Sequence, residues 1–287
     1  MKAMTTINKC LFPVAGYGTR FLPATKAIPK EMFPILTKPL LQHGVEEALS
    51  AGIVNMAIVT GRGKRAIEDH FDNAFELEAQ LKNTPSEHYL KDIRSVIEKA
   101  TFSYVRQKKM LGLGDAISTG KTLIGNETFA VILPDDLCVN SGNSVLTQMI
   151  DLHKDYPDCC IVAVEEVSKD EVGKYGIVEI EAIRNIRKNM QNFAFKITNM
   201  IEKPTQKESP GNLAIIGRYI LTPDIFDILE KTNPDNNGEI QITDALLTLA
   251  KKGKVIAYKF KGTRFDCGSV KGFVVATNYF AKAEGLI

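Results

Sequence analysis

A pair of glycines just behind a short apolar run, in Ala15-Gly16-Tyr17-Gly18-Thr19-Arg20, is the first place where residue types suggest chemistry. Backbone N–H groups beside such glycines can close on an anion, as in a phosphate-cradling nest. Arg20 adds a planar fork of donors matched to phosphate oxygens, and Lys26 and Lys30 add point charges. Two familiar phosphate loops do not fit. A dinucleotide fingerprint needs a third glycine where Phe21 stands, and a Walker loop needs four residues between its glycines, whereas Gly114 and Gly120 enclose five. For the bare glycine pair, the alternative is a tight turn with surface lysines.

Carboxylates recur at the ends of apolar runs. Asp135 follows residues 131–133, and Asp266 follows Phe265 far along the chain. Such a residue is also a common helix cap or turn former. Asp136 reads as its neighbour's solvated companion. Glu202-Lys203-Pro204 closes another apolar stretch, where an exposed ion pair would contribute little. Gln107, taken alone, reads as a solvent-facing polar residue at a strand end. Glu239 fits a carboxylate favoured by the dipole of a helix's first turn.

The elements that must position these groups alternate in the first half. Residues 10–15 read as a buried strand, 40–51 as a helix stopped by Gly52, and 54–60 as the next strand. Helical patterns fill 64–99 with a break near Thr84-Pro85; then come a strand at 102–106, a helix at 115–123 and a strand at 128–133. Strand following helix following strand predicts a parallel α/β sheet. Pro13 cannot donate to a ladder, which places it at its strand's exit. Strand patterns at 160–167, 176–180, 193–201 and 213–219 have few helices between them, so the sheet is expected to continue in a more antiparallel part. Helices follow at 223–231 and 239–251, then a strand at 255–260 and a helix from Val270. Ligands in such sheets bind beyond the carboxyl ends of the strands, where the motifs above fall.

Composition narrows the function classes. The 287 residues include 36 basic and 34 acidic side chains, a near-balance that argues against a dedicated nucleic-acid binder. No window approaches the roughly 20 apolar residues of a membrane span, and residues 1–7 are too short and polar for a secretory signal. Five scattered cysteines form no CxxC pair, and four histidines show no metal-binding spacing. The expectation is a cytoplasmic protein with idle thiols that engages neither membrane nor nucleic acid.

The run AGYGTRFLPATKAIPKEMFPI resembles the signature of the sugar-phosphate nucleotidyltransferases. Its KAIPKEM segment is closer to the bacterial uridylyl-transferring members than to the thymidylyl-transferring ones. The likeness continues through FELEAQL, VRQ, GLGDA, ILPDD, KYGIV, IEKP, NLAIIGRYIL, GEIQITDAL and FDCG, and so covers nearly the whole chain. Two positions depart from the family pattern: Asp115, where a histidine is usual, and Tyr17, where a smaller residue is usual.

The resemblance implies a Rossmann-like nucleotidyltransferase fold with a mixed, mostly parallel sheet flanked by helices. It implies a single catalytic domain over 1–287, with nucleotide binding in about 1–140, and sugar-phosphate binding and oligomerisation in about 141–287. The implied reaction transfers a uridylyl group from UTP to α-D-glucose 1-phosphate with Mg²⁺, giving UDP-glucose and pyrophosphate. Arg20 and Lys30 would be catalytic, holding the triphosphate and the leaving pyrophosphate. Ala15, Gly16, Gly18, Lys30, Gln107, Gly112 and Gly114 would bind the nucleotide, with Gln107 on the uracil edge. Gly176, Glu202, Lys203 and Asn212 would bind the sugar phosphate. Asp135 and Asp266 would ligate Mg²⁺, and the assembly would be a homodimer or homotetramer. Thymidylyl transfer, transfer to another sugar phosphate and a non-catalytic sugar-nucleotide sensor remain open alternatives. Retention of Arg20, Lys30, Asp135 and Asp266 argues against the sensor.

Overall fold

The computed structural model describes residues 7–184 and 186–287. The polar stretch 1–6, which bears most of the reading against a secretory signal, lies outside the described residues.

The first half forms as its apolar runs dictate. Strand β1 (Lys9–Pro13) carries Cys10, Leu11 and Phe12 fully buried, as a strand covered on both faces requires. Pro13 ends it, and the next N–H, that of Val14, donates to Val59 O at 2.9 Å. Two short strands, β2 (Pro34–Ile35) and β3 (Lys38–Pro39), make a small ribbon. β4 (Asn55–Thr60), β5 (Thr101–Arg106) and β6 (Phe129–Ile132) then complete a parallel group in the order β5-β4-β1-β6.

The second half departs from a mostly parallel sheet. After β7 (Asp136–Val139) come β8 (Cys160–Glu166), β9 (Gly176–Ala182), β10 (Ala194–Glu202), β11 (Leu213–Leu221), β12 (Val255–Lys259) and β13 (Thr263–Asp266). The main sheet has nine strands, ordered β5-β4-β1-β6-β11-β8-β12-β10-β9, and β9 also pairs with β11. That last pairing closes β11-β8-β12-β10-β9 into a five-stranded ring. Among these pairings four are parallel and five antiparallel, so the sheet is mixed rather than mostly parallel. The reason lies in the connections. Parallel neighbours need a crossover of a dozen or more residues, usually helical, whereas β8 to β11 are joined by short irregular segments and 3₁₀ turns.

Helices cover both faces. Leu40–Ser50 and Val145–His153 pack into one core through Leu41, Val45, Met149 and Leu152. Gly112–Thr119, Asp224–Leu229 and Ile242–Ala250 pack into the other through Ile117, Phe226 and Leu246. Two sequence expectations need correction. The helix expected at 115–123 is two helices, Gly112–Thr119 and Lys121–Ile124, meeting at Gly120. The one expected from 239 begins at Ile242, which leaves Glu239 in an irregular segment. A third difference is the helix Val145–His153, absent from the sequence expectation, which Ser144 caps by accepting from Thr147 N–H and whose buried apolar residues repeat at helical spacing. No helix among the described residues is long and apolar enough to cross a membrane.

Candidate active site

The loops leaving β1, β5 and β6 sit at one edge of the parallel group, where carboxyl ends of strands leave room for a ligand. They wall a cavity of about 470 Å³ that includes Ala15, Gly16, Gly18, Lys30, Gln107, Gly112 and Asp135. A second cavity of about 510 Å³ includes Arg20, Asp135, Tyr175, Gly176, Glu202, Lys203, Thr243 and Asp266. The two share Leu113, Leu133, Asp135 and Glu239 in their walls. The nucleotide-binding residues Gly16, Gly18, Gly112, Lys30 and Gln107 thus line one chamber and Gly176, Glu202 and Lys203 line its neighbour, whereas Arg20, expected on the triphosphate, lines the second chamber only. Two expected residues stand outside both walls. Gly114 is buried behind, donating to Ile240 O at 2.8 Å, and Asn212 Nδ2 donates to Val167 O at 3.2 Å.

At the shared wall, Lys30 Nζ donates to Asp135 Oδ2 at 2.5 Å. Burial pushes the Asp135 carboxyl up, but Lys30 and Arg20 outweigh it and hold the group below its ordinary value. Burial likewise opposes the Lys30 charge, and Asp135 and Glu31 overcome that, leaving its pKa raised. The pair therefore stays ionised. Lys30 opens a short 3₁₀ turn whose next residue, Glu31, is buried against Lys64 at 2.7 Å. That second pair anchors the turn from below, across 33 residues of chain that carry no local signal of it.

Asp135 and Asp266 converge on Gly268. A Cβ at Gly268 would lie 2.9 Å from Asp135 Oδ2, 3.1 Å from Asp266 Oδ1 and 3.5 Å from Arg20 Nη1. A side chain there would collide with the site, so the glycine of FDCG is required by close approach. Asp266 Oδ1 also accepts from Gly268 N–H, and its Oδ2 accepts from the Tyr175 hydroxyl at 3.2 Å. Among the described residues no three His, Cys, Asp or Glu side chains gather to hold a metal. A pair of carboxylates around an open glycine is nevertheless a donor set that suits Mg²⁺, which takes hard oxygens and keeps several waters.

Asp136 is no solvated companion. It is 8 % exposed, accepts from Gly217 N–H at 2.7 Å and from Arg264 Nε at 2.6 Å. Arg264 also donates to Glu165 at 2.6 Å and lies over the Tyr175 ring at 5.0 Å. The β7–β13 pairing puts Asp266 opposite Asp136, so this buried clamp fixes the strand that carries Asp266. Further along the wall, Thr243 Oγ1 donates to Glu202 Oε2 at 2.6 Å, and Lys203 Nζ lies 3.5 Å from Glu202 Oε1. Lys203 itself has φ +44°, a left-handed conformation that an L side chain adopts at some cost. Thr243, Tyr175 and Arg264 carry no local sequence signal, because each acts through a partner distant in the chain. All five cysteines are free, and burial pushes Cys267, beside Asp266, up to about 12, consistent with idle thiols.

Residues 13–283 match the family described as nucleotidyl transferase. The chain is 58% identical over 274 residues to UTP–glucose-1-phosphate uridylyltransferase of Pseudomonas aeruginosa, covering 95% of each sequence. It superimposes on a UDP-glucose pyrophosphorylase complexed with UDP-glucose with a TM-score of 0.88, at 56% identity over 97% of this chain and 100% of the other. A UTP-bound UGPase from Acinetobacter baumannii gives 0.84 at 37% identity, covering 96% and 94%.

Proposed function

Because the chain belongs to the nucleotidyl transferase family, we propose that its joined chambers transfer a uridylyl group from UTP to α-D-glucose 1-phosphate, giving UDP-glucose and pyrophosphate. The observation that carries this reading is the shared wall at Asp135. It joins a glycine-and-lysine chamber, suited to a nucleoside triphosphate, to a chamber with Glu202 and Lys203, suited to a phosphorylated sugar.

A phosphate oxygen of the sugar attacks the α-phosphorus of UTP. The bond from that phosphorus to the bridging oxygen breaks, and pyrophosphate leaves with its electron pair. The protein's task is to hold two anions in line and to balance charge moving onto the leaving group. Arg20 and Lys30 supply that balance. Gly16 and Gly18 let backbone N–H groups approach the phosphates, and Gln107 meets the uracil edge. Gly176 and Glu202 take the sugar hydroxyls, with Thr243 holding Glu202 in place, and Lys203 takes the sugar phosphate. Gly112, with φ +89°, turns the chain into the helix that covers the base. Asp135 and Asp266 would hold Mg²⁺, which when bound supplies positive charge at the phosphate oxygens.

The same reading assigns 1–287 to one catalytic domain, with nucleotide binding before about residue 140. It places the enzyme in the cytoplasm as a homodimer or homotetramer. Val270, Val274, Val275 and Tyr279, exposed on the helix Val270–Ala283, are apolar area that self-association would cover.

Pyrophosphate release measured with four nucleoside triphosphates and several sugar phosphates tests the assignment. UTP with glucose 1-phosphate should give the highest kcat/KM, with some leakage to dTTP, since one methyl group is worth only about 1–3 kcal/mol in a pocket. Equal values for UTP, ATP and GTP would overturn it.

A further inference from the structure

The base-reading side chain does not stand alone. Gln107 follows β5 and is 5 % exposed, and its backbone N–H donates to Thr60 O at 2.9 Å. Its Nε2 lies 2.6 Å from Asp115 Oδ2 and 3.4 Å from Gly112 O. Both neighbours are acceptors. An amide oxygen turned toward them would face two oxygens with no proton between, so the nitrogen must occupy that place. Asp115 sits in the first turn of Gly112–Thr119, where the helix dipole favours a carboxylate, and it does not itself reach the cavity wall.

We propose that Asp115 is the positioning residue that sets pyrimidine choice, by locking the Gln107 amide with its oxygen toward the base. The proposal rests on the reading that Gln107 meets the base. In that orientation Oε1 accepts from a ring N–H, which uracil presents at N3. Cytosine reverses the order, with an acceptor at N3 and a donor at N4, and so fits only the flipped amide. Flipping sets Oε1 against the Asp115 carboxylate and removes its hydrogen bond. Cytosine is therefore refused at a position Asp115 never touches. Thymine carries the same N3–H as uracil, so the lock does not separate UTP from dTTP.

The test compares kcat/KM for UTP, CTP and dTTP in the wild type, Asp115→Asn and Gln107→Ala. An asparagine amide accepts or donates, so it satisfies either Gln107 orientation without changing shape and leaves only the weaker 3.4 Å contact to Gly112 O against the flipped one. A site built on one hydrogen-bond order can discriminate on the order of 10⁴-fold. In Asp115→Asn the UTP-to-CTP ratio should fall at least tenfold, chiefly through a gain with CTP, while the UTP-to-dTTP ratio stays within about twofold. An unchanged UTP-to-CTP ratio overturns the lock, and so does a parallel shift in both ratios, which marks a general disturbance. If Gln107→Ala leaves the UTP-to-CTP ratio intact, the base-contact reading itself fails. If Gln107→Ala collapses the ratio and Asp115→Asn does not, only the lock fails. Should Asp115→Asn not fold, Asp115→Ser, whose hydroxyl also accepts or donates, takes its place with the same expected ratios and the same overturning results.

Discussion

Asp135 and Asp266 reach one point from strands far apart in sequence, and their joint position at Gly268 predicts how they fail together. If both serve one divalent ion, removing either takes away most of what the pair provides. Loss of a comparable electrostatic stabiliser costs about 3–4 kcal/mol, or roughly 10²–10³ in rate. Asp135→Asn and Asp266→Asn should each lose at least that much at saturating Mg²⁺ while remaining folded. The double variant should lose far less than the sum of the two. Full additivity in that cycle would give the residues separate jobs. Near-wild-type activity in one single variant would remove that residue from the site. Because Asp135 also accepts from Lys30, its variant leaves a charge without its partner, so it should be the more damaging of the two.

Between elements, one electrostatic tie is deeply buried. Arg218 on β11 is 1 % exposed and donates through Nε and Nη2 to Glu47 Oε2, at 3.0 and 2.8 Å. Glu47 lies on the helix Leu40–Ser50, and its other oxygen accepts from Leu146 N–H at 3.0 Å. One carboxylate thereby joins two helices to the sheet. Removing one partner of such a pair strands a buried charge and costs about 3–5 kcal/mol. Glu47→Ala should lower stability by that amount in urea unfolding, with little change in the slope of the transition. Lys9 and Glu127 lie 2.7 Å apart but are partly exposed, so Glu127→Ala should cost under about 1 kcal/mol. Similar losses in the two variants would show that burial does not set the strength of these ties.

Stability of the whole molecule should carry the mark of His43. Its ring packs 5.4 Å from Phe280 of the carboxyl-terminal helix, and its Nε2 is buried without a partner. Burial, with Lys38 adding to it and Glu46 opposing, lowers its pKa to about 4. The unfolded chain takes up a proton near pH 6.5, whereas the folded protein resists until about 4. Between those values the unfolded state binds more protons, so stability falls as pH drops. The loss is about 2 kcal/mol by pH 5. Unfolding of the wild type and His43→Leu at pH 7 and pH 5 measures it, and the variant should show a smaller drop. Equal drops would mean that His43 is free to protonate in the folded state.

The sequence by itself determined the four parallel strands of the first half and the helix Leu40–Ser50, since a buried strand must be continuously apolar and a covering helix must repeat its apolar residues each turn. It also marked candidates for phosphate contact, through the glycine pair and the cations, and set carboxylates at strand exits. Tertiary structure decided what required a distant partner. Asp135 and Asp136 are neighbours of identical chemistry, yet one faces the chambers beside Lys30 and the other is clamped by Arg264. The closure of β9 onto β11 is equally silent in the chain, because it depends on how far the second half of the sheet coils. The glycine of FDCG looks like any turn glycine until two carboxylates and an arginine are seen to meet beside it. Residue type and local period are written in the chain, whereas convergence comes from folding that brings distant segments within a few ångströms.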